Sequence, residues 1–156
     1  MPAQSVRRPG TVAQAADPAG VRYIESSALV AALLERDAAA LISVRTKGRQ
    51  VTSALTIAEA ARAILRARAT ARLTSHEERA AVGALRRFDR RAFTVAVTDA
   101  ILARVGRPFP VEPIRTLDAI HLATAELLGE PPSLVTIVTR DTRVRDNARA
   151  LGYAVE

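Results

Sequence analysis

Four acidic residues occupy equivalent places in a chain that alternates strand-like and helix-like stretches: Glu25, Glu59, Asp118 and Asp141. Glu25 and Asp141 come just past the apolar, β-prone runs VRYI and LVTIV. Glu59 falls in the first turn of a helical pattern that follows the run QVTSAL, and Asp118 opens the apolar stretch AIHLATAELLG. In a parallel sheet, strand ends and the starts of the following helices share one rim, which is where ligands bind. Carboxylates gathered on that rim raise each other's pKa unless a cation lies among them. Oxygen donors with no sulfur and little imidazole suit Mg²⁺ or Mn²⁺ better than Zn²⁺. Such ions activate water and stabilise the leaving oxygen of a phosphodiester. The chemistry these acids could carry is phosphodiester hydrolysis.

Each acid has a structural role open to it as well. Thr56 and Glu59 have the S/T-x-x-E spacing of a capping box. Asp118 suits the positive end of a helix, Asp141 suits a turn before one, and Glu25 could be a polar strand end. The spacing alone does not decide between the two accounts.

The elements that must position these acids follow from local signals. After the first strand, Ala28, Leu29, Ala32 and Leu33 repeat at helical spacing, giving a helix from about Ser26 to Asp37. A short helix over Ala38 to Thr46 is stopped by Lys47-Gly48. The next helix carries an apolar face of Ile57, Ala61, Ile64 and Leu65. Ser75 is placed to cap a further helix reaching about Arg91, with Glu77 and Glu78 in its first turn and four arginines in its last. That distribution follows the helix dipole and needs no ligand. A strand at Phe93 to Val97, a helix from Thr98-Asp99 to near Gly106, and a proline-marked loop come next. The helix after Asp118 is apolar around much of its surface, and Gly129 with Pro131-Pro132 stops it. Leu134 to Val138 is too apolar for an exposed edge strand. A helix from about Thr142 to Leu151 and a strand at Tyr153 to Val155 complete the pattern. Alternation without hairpin signals predicts an α/β fold, a parallel sheet of about five strands with helices on both faces.

With 156 residues, nearly half of them hydrophobic, the chain has room for one domain with a real core. Residues 1–20, small and punctuated by Pro and Gly, read as a flexible leader, and residues 21–156 as the domain. There is no cysteine, which excludes disulfides, thiol nucleophiles and thiolate metal sites. That absence fits a reducing cytoplasm, and no run approaches the roughly 18 apolar residues of a membrane span. Arg7 and Arg8 have no apolar run behind them, so no secretory signal is expected. The net charge of +7 is carried by 22 arginines and a single lysine, Lys47. A GC-rich genome accounts for the arginine-to-lysine ratio, while the positive excess points to a polyanionic partner.

The wording around each acid narrows the field. I-E-S-S-A-L resembles the opening motif of PIN-domain ribonucleases, a hydrophobic strand followed by D-[ST]-[SN]-A-L. T-S-A-L-T-I-A-E-A resembles their second motif, and R-T-L-D-A-I-H-L-A-T-A resembles the third, R-x-x-D-A-x-H-L-A-x-A, the most specific match. V-T-R-D with A-R-A-L-G-Y resembles the fourth. All four occur in family order over about residues 21 to 156, at the size of the VapC-type toxins of bacterial toxin–antitoxin pairs. The resemblance implies a three-layer α/β/α domain and a Mg²⁺- or Mn²⁺-dependent endoribonuclease with an RNA substrate. It further implies a homodimer and a cognate antitoxin whose C-terminal segment fills the acidic groove. The metal-binding acids fall on Glu25, Glu59, Asp118 and Asp141, a supporting hydroxyl on Ser27, and a weaker one on Thr139. Arg115 and Arg140 are candidates for holding the RNA backbone. Asp146 suits the surface of the last helix, and His121 suits a hydrogen-bonded packing role better than that of a general base.

One position departs from the motif. Glu25 stands where the family pattern has aspartate, and the extra methylene moves the carboxylate by roughly 1–1.5 Å, about one C–C bond. Mg²⁺ demands near-ideal geometry, so either the site is adjusted around Glu25 or cleavage is weakened. A catalytically weakened PIN-fold module that binds antitoxin or RNA is therefore the alternative. Phosphotransfer receivers and aspartyl-phosphate phosphatases need an aspartate nucleophile near the first strand end, which Glu25-Ser26-Ser27 does not offer. No Gly-rich loop follows any strand, which disfavours Rossmann and P-loop nucleotide sites.

Overall fold

The computed structural model describes residues 20–156, so the leader expected over residues 1–20 lies almost wholly outside the described residues. Five strands form one parallel sheet: β1 (Val21–Ile24), β2 (Arg49–Ser53), β3 (Phe93–Val95), β4 (Val135–Val138) and β5 (Ala154–Val155), in the spatial order β3-β2-β1-β4-β5. Seven α-helices connect them: α1 (Ser26–Leu34), α2 (Ala38–Arg45), α3 (Ala54–Ala69), α4 (Ser75–Arg91), α5 (Asp99–Val105), α6 (Thr116–Glu126) and α7 (Thr142–Ala150). The expected α/β/α layering is present. None of the described helices is long and apolar enough to cross a membrane.

The period-2 alternation of the strands assigns side chains to the two helical layers. Val21 and Tyr23 of β1, with Val135 and Ile137 of β4, pack under Ile101, Ile120, Leu122 and Val144 of α5, α6 and α7. Ile24 and Val138 face the other way, against Leu29, Val44, Ile64, Leu85 and Phe88 of α1 to α4. Of the run LVTIV, Val135–Val138 form β4, hydrogen-bonded between β1 and β5 as their composition predicts, while Leu134 ends a preceding 3-10 turn and is exposed.

Helix starts differ from the sequence expectation at two places. The S/T-x-x-E spacing of Thr56 and Glu59 does not cap α3, which begins two residues earlier with the Ser53 side chain accepting from the N–H of Leu55. Thr56 is then inside the helix and fully buried, so Glu59 is released from a capping role. A true capping box does form on α4, but Thr74 rather than Ser75 is the cap, paired with Glu77. Both shifts follow from competition for the cap between nearby hydroxyl residues, Ser53 with Thr56 three positions on and Thr74 with its neighbour Ser75.

Burying Arg22 on the central strand requires a partner. Its guanidinium donates to both carboxylate oxygens of Glu156, at 3.0 and 2.6 Å, and to the Ser43 carbonyl at 3.2 Å. The same Glu156 accepts from the Thr139 N–H through its backbone carbonyl and donates its N–H to Ile137. Glu156→Ala leaves the arginine unpaired in the core. Because Glu156 is half exposed, the expected loss is about 2 kcal/mol, the scale of a charged hydrogen bond, rather than that of a fully buried pair. Urea unfolding of the two proteins measures it, and an unchanged midpoint would contradict the assignment.

Candidate active site

In the order β3-β2-β1-β4-β5 the chain runs outward one way from β1 and then crosses to the other side at β4. The carboxyl ends of β1 and β4 therefore flank the topological switch point, the place where open α/β sheets hold ligands. Glu25 leaves β1 there and Thr139-Arg140-Asp141 leave β4, with the Glu25 N–H donating to the Val138 carbonyl at 3.0 Å.

Glu25 is 3% exposed and serves as the N-cap of α1. Oε1 accepts from Ser26 Oγ at 2.6 Å and from the Ser27 N–H at 3.0 Å. Oε2 accepts from Thr139 Oγ1 at 2.7 Å and from Ser27 Oγ. Four protein donors thus occupy a carboxylate with about four acceptor sites. Ser27 Oγ in turn accepts the N–H groups of Arg140 (2.7 Å) and Asp141 (3.1 Å), and Thr139 Oγ1 accepts that of Asp141 at 3.0 Å. The two hydroxyls tie the end of β4 to the acid at the end of β1. The Ser26 contribution was not anticipated, and nothing in the sequence separates it from its neighbour Ser27.

Asp141 is the N-cap of α7, its Oδ1 accepting from Arg143 and Val144 at 2.7 and 3.2 Å. Asp118 sits in the first turn of α6 and differs from the others. Its Oδ2 is buried with no hydrogen-bond partner among the described residues. Burial raises its pKa, and the charges of Asp141 and Glu25 raise it further, against a smaller opposing pull from Arg115 and His121.

Glu59 reaches the same region from α3. Burial works to raise its pKa, but the hydrogen bond to His121, with a smaller contribution from the nearby Ser26 hydroxyl, holds it below the ordinary glutamate value. Glu25, Glu59 and His121 each offer a ligand atom within 4.8 Å of the others. Of the four acids expected from the sequence, Glu25 and Glu59 are in this group, while Asp118 and Asp141 are not, although the charges of Asp141 and Glu25 both bear on Asp118. An orphaned Asp118 oxygen under the repulsion of Asp141 and Glu25 fits a divalent cation, and carboxylate donors fit Mg²⁺ or Mn²⁺.

The remaining candidates separate. Arg115 is the N-cap residue of α6, exposed beside Asp118. Arg140 Nε is paired with Asp37 Oδ2 at 2.9 Å, a contact that anchors the start of α2 and holds the Asp37 carboxyl below its ordinary pKa. Asp146 is exposed on α7, as its surface alternative predicts.

Comparison with known proteins agrees with this geometry. The PIN domain family model matches residues 22–150. The chain is 41% identical over 138 residues to ribonuclease VapC35 of Mycobacterium tuberculosis, a match covering 85% of this chain and 93% of that protein. Its fold is similar to the crystal structure of M. tuberculosis VapC20, described as a Sarcin-Ricin loop cleaving toxin, with TM-score 0.60, 16% identity, and coverage of 85% of this chain and 96% of that one. It is equally similar in fold to VapBC2 from Rickettsia felis bound to a promoter DNA fragment, with TM-score 0.60, 12% identity, and coverage of 87% and 97%. With the family model spanning most of the domain, the chain belongs to the PIN-domain family.

Proposed function

We propose that this protein is a metal-dependent endoribonuclease, the toxin of a toxin–antitoxin pair, acting on RNA phosphodiester bonds in the cytoplasm. The observation that carries the proposal is the buried, unpartnered Asp118 Oδ2 under the repulsion of Asp141 and Glu25. The 41% identity to ribonuclease VapC35 supports RNA as the substrate class. Glu59, Asp118 and Asp141 would hold Mg²⁺ or Mn²⁺, with Glu25 as the fourth acid. A bound divalent ion supplies Lewis acidity to the phosphoryl group and lowers the pKa of water. The chain's own residues do the rest: Ser27 and Thr139 fix the Glu25 carboxyl, and Asp141 caps α7 through one oxygen while the other is left for a cation. Arg115, exposed beside Asp118, is placed to meet a backbone phosphate, with Arg140 as a second contact.

The solved VapBC assemblies support an antitoxin partner for this chain as well. An apolar groove between α3 and α4, lined by Ile57, Ala61, Leu65 and Val82, offers such a partner or a second copy a surface to cover.

The test is cleavage of structured RNA by the purified protein. Mn²⁺ should stimulate it, and EDTA or Asp118→Asn should lower it by at least about 100-fold, the scale of losing alignment at a reacting centre. Equal cleavage by the variant would assign the activity to another site. The saturation of Glu25 by four protein donors favours a second reading, a PIN module that binds RNA or antitoxin and cuts poorly.

A further inference from the structure

Behind Glu59 lies a buried polar chain for which carboxylate chemistry alone gives no reason. His121, 1% exposed on α6, sets Nε2 at 2.8 Å from Glu59 Oε2. Its Nδ1 lies 3.1 Å from the hydroxyl of Tyr23, also 1% exposed, on the central strand. Tyr23 and His121 are packed edge to face, with ring centroids 6.3 Å apart. Two large polar side chains at the centre of the apolar layer cost stability unless each polar atom is matched, and here each is.

We propose that Tyr23 and His121 are positioning residues that fix the direction of Glu59 toward the metal, His121 donating Nε2–H to Oε2 while Tyr23 holds the far side of the ring at Nδ1. The direction follows from the groups. An ionised carboxylate only accepts, so Nε2 carries the hydrogen. The Tyr23 hydroxyl, which can donate or accept, meets Nδ1 on the other side of the ring. The consequence is leverage: Glu59 sits on α3, outside the layer that holds Asp118, and His121 is the strut between them. Asp118 and His121 lie three residues apart on α6, one turn of the same helix, so the strut also fixes the spacing of two acids from different layers.

This proposal rests on the metal-site reading above, and the test separates the two. Mn²⁺ titration of the full chain by calorimetry is compared for the parent, Asp118→Asn, His121→Asn, His121→Gln and Tyr23→Phe. Removing partners that orient metal ligands costs about 10–100-fold in affinity. His121→Asn, whose amide is too short to reach Glu59, should show that loss. His121→Gln, which returns an N–H near the Nε2 position, should recover most of it, and Tyr23→Phe should lose less than His121→Asn. Spectroscopy adds a metal-independent readout: ring ¹⁵N shifts of the parent should show a protonated Nε2. A ring protonated at Nδ1 alone overturns the proposal. So does His121→Asn binding as the parent does, or His121→Gln losing as much as His121→Asn. Spin-echo spectra of bound Mn²⁺ should lack a directly ligated nitrogen, and finding one would make His121 a ligand rather than a strut. A parent that binds no Mn²⁺, or binds it indifferently to Asp118→Asn, overturns the metal site itself and the strut with it.

Discussion

Without added metal, the Asp118→Asn protein melts at a higher temperature than the parent, although it is expected to cut no RNA. Burial and the charges of Asp141 and Glu25 raise the Asp118 pKa above its unfolded value. Between those two values the folded protein binds more protons than the unfolded one, so stability falls as pH rises through that window. Above the folded pKa the loss is complete, and it is absent below the unfolded pKa. Asparagine keeps the shape and removes the charge, which recovers the loss at neutral pH and flattens the acid limb of the stability profile. A shift of roughly 2–4 °C accompanies each kcal/mol in a chain of this size. Divalent metal should reverse the order, because the parent gains about 2.7 kcal/mol at 100 times its dissociation constant while the variant gains little. Melting curves with EDTA and with Mn²⁺ decide it. A metal-free variant that melts below the parent would mean that Asp118 serves α6 as a dipole partner more than it suffers from its neighbours.

Shortening Glu25 to aspartate is expected to raise cleavage by about 10–100-fold. Misplacing a reacting group by about 1 Å costs on the order of 100-fold, and one methylene separates Glu25 from the residue in the motif it resembles. The structure shows what the longer side chain does with its reach: it folds back onto Ser26, Ser27 and Thr139, and both oxygens are taken. An aspartate carboxylate cannot keep all four donors, so one oxygen is freed for a cation. The same change should cost about 1–2 kcal/mol of stability in lost hydrogen bonds. Single-turnover cleavage of one RNA by both proteins, beside their melting curves, tests the trade. An Asp variant no faster than the parent would show that the site is built for glutamate. No cleavage by either protein would favour the binding module.

The sheet was legible because its strands carry their own signals. LVTIV is continuous and β-branched, and its central place follows from having no polar face to turn to water. The four acids could be proposed as a set only through the words around them, since each position also suits a cap or a turn. Asp141 shows why the two accounts are not exclusive: it caps α7 with one oxygen and leaves the other. The Thr56–Glu59 spacing misled because Ser53 was equally able to cap, and nothing local ranks them. Tyr23 and His121 could not be paired from sequence, being 98 positions apart on a strand and a helix with no shared period. The same holds for the Arg140–Asp37 pair, which ties a candidate RNA contact to the start of α2.

The hydroxyl of Ser27 meets groups that lie 112 to 114 positions away along the chain. Contacts of that separation form late, because the loop they close is costly until much else is in place. A partly folded chain holding β1 to β3 already has Glu25 and Glu59, yet it has neither Thr139 nor Asp141. It would therefore present isolated acids instead of a cation site. The hold on the Glu25 carboxylate is thus complete only when β4 has joined the sheet.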